Sequence, residues 1–294
     1  MIVDNPQFGP ETDALLKHLA DLPGNPELDP YQALLLDRED LPDPTIAGER
    51  DPRVTTEDIS VRLPGRTLAA RIYRHSSRPR PVLLWLHGGG FVGGGLRDIE
   101  HTTSRIAAEG NVTVVSLNYR LAPENPCPAG LQDVYEALSW IRDHVDGDGR
   151  VAIGGQSAGG ALAAGACLLA RDHGVPLPDR QILCYPVLDL HPSADWHEWY
   201  FGTRDIPAGA VPLHASSLTG LPPTLMLAAQ RDWLRDDALA YATRLKQDGV
   251  PVELVEYADT MHAFLNFPAA LSAGRHAIEL IAADLQTAFS GRRS

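Results

Sequence analysis

The sequence predicts an α/β fold: a mostly parallel central sheet with helices on both faces. Two observations carry this. Short, continuous apolar runs recur at about residues 82–86, 112–117, 151–153, 182–185, 224–228 and 252–255, and such runs suit strands buried on both faces. Stretches with helical spacing separate them, at about 99–109, 131–145, 158–172, 236–247 and 271–287. Strand–helix–strand repetition at this interval marks a doubly wound sheet.

In chain order, residues 1–50 follow a different pattern from the rest. Leu15, Leu16, Leu19 and Leu22 stand at helical spacing, and Tyr31, Leu34 and Leu35 suggest a second short helix. The prolines of Asp40-Leu41-Pro42-Asp43-Pro44 stop it. This segment reads as a helical flap over residues 51–294, which form one α/β domain. Ile59 to Leu63 and Leu68 to Tyr73 read as two strands of a hairpin turning at Pro64-Gly65-Arg66. An insertion at about residues 190–221 interrupts the repeat and holds Trp196, Trp199, Tyr200 and Phe201. Those aromatics either close a loop against the core or line a substrate pocket, and both readings are compatible.

Composition narrows the function. The formal charge is −13, from 38 acidic against 25 basic residues. Such a surface repels nucleic acid and anionic lipid, so neither is expected as a partner. No apolar run is long enough for a spanning helix. The acidic, proline-bearing start lacks the basic flank and apolar stretch of a secretory signal, which makes the cytoplasm the expected location. Cys127, Cys167 and Cys184 form no close-spaced pair and read as buried free thiols, with no zinc site or disulfide framework.

The sharpest local pattern is Gly155-Gln156-Ser157-Ala158-Gly159-Gly160, set between a strand and a helix. A serine squeezed into so tight a turn needs small neighbours, and the turn lifts its hydroxyl clear of the sheet. The following helix directs free amides and its positive dipole end at the same point. A serine hydroxyl attacks only when a base takes its proton. His262, just past the last apolar run, stands where that base is expected. A carboxylate must hold the imidazole in the right tautomer. Asp232, just past the run at 224–228, is the candidate, and the chain order serine–acid–histidine follows. Asp236 and Asp237 read instead as helix openers favoured by the dipole. Asp259, three residues before His262, makes an awkward reach around the ring.

His87-Gly88-Gly89-Gly90-Phe91 ends the run at 82–86. Serial glycines let backbone amides face a ligand, so Gly89 and Gly90, joined by Ala158, are candidate donors to an oxyanion. The phosphate-binding alternative lacks a following Gly-Lys-Ser/Thr. His87 reads as a donor pinning the loop, because no further metal ligands stand at useful spacing.

These motifs, with Tyr119-Arg120-Leu121-Ala122-Pro123-Glu124, Asp232-Trp233-Leu234-Arg235-Asp236 and His262-Ala263-Phe264, make the chain resemble the hormone-sensitive-lipase-like group of bacterial esterases from about residue 54 onward. The resemblance implies an α/β-hydrolase fold with a small helical cap built from the N-terminal segment and the 190–221 insertion. It also implies cofactor-free hydrolysis of short- to medium-chain carboxylic esters by Ser157, Asp232 and His262, with an oxyanion hole of Gly89, Gly90 and Ala158. Phe91, Trp196, Trp199, Tyr200 and Phe201 are candidate pocket residues. A homodimer through the last strand, about residues 252–257, is a further implication. Gln156, Asn118 and Gln230 depart from the group, each standing where an acidic residue is usual. Two alternatives stay open from sequence: an idle small-ligand-binding protein of this fold, and a hydrolase of an amide, lactone or carbamate bond.

Overall fold

The computed structural model describes residues 1–21, 42–203 and 205–291. The helix expected around Tyr31 to Leu35 lies outside them. The strands are β1 (Ile2–Val3), β2 (Thr55–Leu63), β3 (Arg66–Arg74), β4 (Arg80–Leu86), β5 (Thr113–Leu117), β6 (Gly147–Gln156), β7 (Arg180–Cys184), β8 (Thr224–Arg231) and β9 (Val252–Met261). They form one sheet in the order β1-β9-β8-β7-β6-β4-β5-β3-β2. The β2–β3 hairpin turns at Pro64-Gly65, and β3 runs antiparallel to β5; every other pairing is parallel.

The helices are α1 (Phe8–Ala20), α2 (Pro44–Ala47), α3 (Glu100–Gly110), α4 (Ala129–His144), α5 (Ala158–Asp172), α6 (Asp195–Tyr200), α7 (Arg235–Gln247) and α8 (Ser272–Ala288). On one face of the sheet, Leu131 and Val134 of α4, Leu162 of α5 and Tyr241 of α7 share a core. On the other, Phe8 and Leu15 of α1, Ile106 of α3 and Ile278 and Ile281 of α8 form a second. Covered on both sides, β4 carries Leu83, Leu84, Trp85 and Leu86 with no exposed surface. This is why it reads as an unbroken apolar run.

Strand order reverses at β4, whose neighbours are β5 and β6. The connections after β4 and β6 therefore diverge and leave a crevice at the carboxyl ends of the strands, where ligands of open α/β sheets bind. β8 and β9 run further than their apolar cores predict, to Arg231 and Met261. Asp232 and His262 each follow directly on a strand end.

The N-terminal segment contributes more than a flap. β1, absent from the sequence reading, adds in parallel to the outer edge of β9, Ile2 opposite Glu256 and Val3 opposite Tyr257. The edge expected to pair two copies therefore carries the chain's own strand at these positions. α1 packs Phe8 against Tyr257, with ring centroids 6.1 Å apart. Glu11 accepts hydrogen bonds from the Ser272 amide (2.7 Å) and hydroxyl (2.6 Å) at the start of α8. The 190–221 insertion is tied down as well: the Cys127 amide donates to Tyr200 O, and Arg244 donates to the carbonyls of Leu213 and Ala215.

Candidate active site

β6 delivers Gln156 to the rim and α5 begins at Ala158, so Ser157 must turn the chain within one residue. It does so at φ 54°, ψ −120°, a conformation costly for any residue with a side chain. The surrounding backbone holds it there: the Ser157 amide donates to Cys184 O, and its carbonyl accepts from Ala161 and Val187.

The Ser157 hydroxyl lies 3.0 Å from His262 Nε2, and His262 Nδ1 lies 2.7 Å from Asp232 Oδ2. A carboxylate only accepts, so Nδ1 carries the proton and Nε2 is left to accept from the serine. Asp232 is buried, at 1% side-chain exposure against 27% for His262. Its second oxygen accepts the Leu234 amide, which fixes the carboxylate plane. Asp236 and Asp259 both point elsewhere: Asp236 is open to solvent, and Asp259 sits exposed beside Gly9.

The glycine loop after β4 lies against this turn. A Cβ on Gly88 would stand 3.3 Å from both Ser157 Cβ and Gln156 O. Gly89 has φ +113°, and a Cβ there would meet Gly93 O at 2.2 Å, so only glycine closes the loop this tightly. Among the described residues, the amides of Gly89, Gly90 and Ala158 find no protein acceptor. The loop is held from below. Tyr119 Oη–H donates to His87 O at 2.9 Å, and the two rings stack at 4.2 Å. Arg120, through its amide and guanidinium, binds the fully buried Asp133. The Ala122 amide donates to Phe91 O. The Tyr119-to-Glu124 motif thus supports the glycine loop.

His87 Nδ1–H donates to Gly88 O at 2.7 Å, and its Nε2 is buried without a partner. Burial pushes its pKa down from 6.5 to about 4. The unfolded chain therefore binds this proton near pH 6.5 while the native one does not. The stability contributed by the neutral buried ring is complete above pH 6.5 and is lost as pH falls toward 4. Urea unfolding of wild type and His87→Gln between pH 7 and 4 tests this. The variant is expected to lose less stability on acidification, and equal slopes would remove His87 from the acid response.

Of the expected pocket aromatics, the structure gathers three. Phe91 stacks on Tyr200 at 3.9 Å and meets Trp196 edge-on at 5.2 Å, while the Trp196 ring lies over Gly90. Phe201 packs behind Tyr200, buried in the core. Trp199 is half-buried and outside this stack.

Other neighbours escaped the sequence reading. Tyr185, buried and at φ 38°, sets its ring against His262 at 5.0 Å. Trp233 stands 6.3 Å from the His262 ring. Gln156, buried beside Ser157, donates from Nε2 to Asn266 Oδ1, tying the serine strand to the turn after His262. Of the other departures from the group, Asn118 is exposed at the end of β5, and Gln230 sits where the β8–β9 register shifts. Asp237 accepts the Leu188 and Asp189 amides and faces His191 Nε2 at 2.9 Å, so it anchors the start of the insertion. Among the described residues no group of His, Cys, Asp and Glu is placed to hold a metal, and no helix is long and apolar enough to cross a membrane.

A mostly parallel sheet whose reversal point presents a serine on a strand-to-helix turn, within reach of a histidine and a carboxylate from later turns, defines the class of α/β-hydrolase-fold proteins. The chain belongs to the alpha/beta hydrolase fold family, whose profile matches residues 83–210 and 195–266. It is related to bacterial carboxylesterases. Esterase LipI of Mycobacterium tuberculosis is 34% identical over 77% of this chain and 80% of its own length. Carboxylic ester hydrolase LipN of the same bacterium is 36% identical over 78% of this chain and 67% of its own. Among solved structures, an esterase of Pyrobaculum calidifontis matches with a TM-score of 0.82 at 33% identity, covering 93% of this chain and 97% of that one.

Proposed function

We propose that the protein is a serine carboxylesterase of the hormone-sensitive-lipase-like group, acting on short- to medium-chain esters through an acyl-enzyme. The observation that carries this is the unbroken line from Asp232 Oδ2 through His262 to Ser157 Oγ, at 2.7 and 3.0 Å, beside three amides without protein acceptors.

In this mechanism His262 Nε2 takes the Ser157 proton as Oγ attacks the ester carbonyl. The amides of Gly89, Gly90 and Ala158 hold the tetrahedral oxyanion, where each such donor contributes about 3 kcal/mol. The imidazolium, its Nδ1–H held by Asp232, gives the Nε2 proton to the departing alkoxide. Water then attacks the acyl-enzyme, losing a proton to His262. Collapse releases the acid, and Ser157 recovers its proton. Every proton transfer passes through His262, so the reaction needs no cofactor. The N-terminal segment and the 190–221 insertion serve as the cap, with Trp196 over the glycine loop.

A fluorophosphonate probe tests the assignment. We expect one covalent adduct, located at Ser157 by peptide mass spectrometry, and progressive loss of p-nitrophenyl butyrate hydrolysis as it forms. Full labelling with undiminished hydrolysis, or an adduct elsewhere, would overturn it. A p-nitrophenyl ester series from two to twelve carbons then measures the acyl range.

A further inference from the structure

Trp233 is the one aromatic among the exposed large hydrophobic side chains of the described residues, at 55% exposure. An indole left in water beside a reaction centre has apolar surface available to a ligand, and binding sites are where such surface collects. Its place is set on several sides. The preceding Asp232 accepts the Leu234 amide, the Arg235 amide donates to Asp232 O, and Leu234 is fully buried. His191 meets the indole edge-on at 4.8 Å and is itself held by Asp237. Trp233 is therefore a fixed wall, 6.3 Å from the His262 ring.

The chemistry says which half of the substrate meets that wall. In the mechanism proposed above, on which this inference rests, the leaving oxygen must reach His262 Nε2 to take its proton. The alcohol portion of the ester therefore passes on the histidine side of Ser157. The Phe91–Tyr200–Trp196 stack stands instead over Gly90, on the glycine-loop side. We propose that Trp233 forms the wall of the leaving-group subsite and that this site favours esters of aromatic alcohols. An aromatic ring gains offset or edge contact with the indole that a saturated ring of equal bulk does not.

Benzyl acetate, cyclohexylmethyl acetate and ethyl acetate, followed by titration of released acid, test this in wild type, Trp233→Ala and Trp233→Phe. The two larger esters match in size and differ in aromaticity. We expect wild type to prefer benzyl over cyclohexylmethyl acetate in kcat/KM. That preference should fall about fivefold in Trp233→Ala and survive largely in Trp233→Phe. With p-nitrophenol as a constant leaving group, relative rates across acyl lengths should keep their order in all three proteins. An unchanged benzyl preference in Trp233→Ala, or a shift in acyl-length preference instead, overturns the assignment while leaving the esterase reading intact. A wild-type protein that hydrolyses none of these esters removes both.

Discussion

Ser157→Ala is expected to lower kcat toward p-nitrophenyl acetate by about 10⁶-fold, because no acyl-enzyme forms without the hydroxyl. The histidine–aspartate pair, 2.7 Å apart, does not depend on that hydroxyl. The fold should therefore survive, and the circular dichroism spectrum should match wild type. Ser157→Gly extends the test. The serine backbone at φ 54°, ψ −120° lies in a region that disfavours side chains and costs about 1–3 kcal/mol. Glycine relieves that strain at about 0.5–1 kcal/mol of extra chain entropy. The glycine variant should be equally inactive and melt about 2 °C above the alanine variant. Turnover in purified Ser157→Ala near the wild-type rate would remove Ser157 from the reaction. A glycine variant melting below the alanine one would show that the turn stores no strain.

Gly159→Ala carries the second large expectation, and it concerns the scaffold. A Cβ on Gly159 would lie 2.4 Å from both Leu86 O and His87 O. Both are backbone atoms at the end of β4, which no rotamer change can move. The methyl must push the first turn of α5 away from β4 and so separate Ser157 from the glycine loop. Overpacking of this kind costs about 3 kcal/mol, a fall of about 6 °C or more in melting temperature. A displacement of about 1 Å between reacting groups costs a further 100-fold or so in kcat/KM. Gly149→Ala is the control: at φ +88° it carries a backbone strain that the helical Gly159 does not, but nothing lies within 4 Å of its Cβ. It should cost stability only through the backbone term and leave activity unaltered. Equal behaviour of the two variants would mean that the contact between α5 and β4 is looser than its distances imply.

Most of the fold was legible because its causes are local. β4 to β8 read as apolar runs since both faces are covered, and helical spacing located α3, α4, α5, α7 and α8 to within two residues or so. The positions of Ser157, Asp232 and His262 were legible for a related reason. Each follows a strand end, and the serine sits among glycines demanded by its turn. β1 was not legible, because a two-residue strand has no periodicity and exists only where β9 offers an edge. Asp237 read correctly as an acid opening a helix, yet nothing in that reading showed that it also reaches back to Leu188 and His191.

By itself, then, the sequence determined the layering, the strand ends where chemistry is possible and the residue types waiting there. These follow from backbone sterics and from which side chains leave water, both properties of short stretches of chain. Tertiary structure alone decided what meets across long separations. It set Gln156 against Asn266, Tyr185 behind His262, Trp233 open beside it, and Phe91 under an aromatic stack from the insertion. Such contacts depend on the twist and register of the whole sheet, which place turns a hundred residues apart at one rim and leave no periodic trace in the chain.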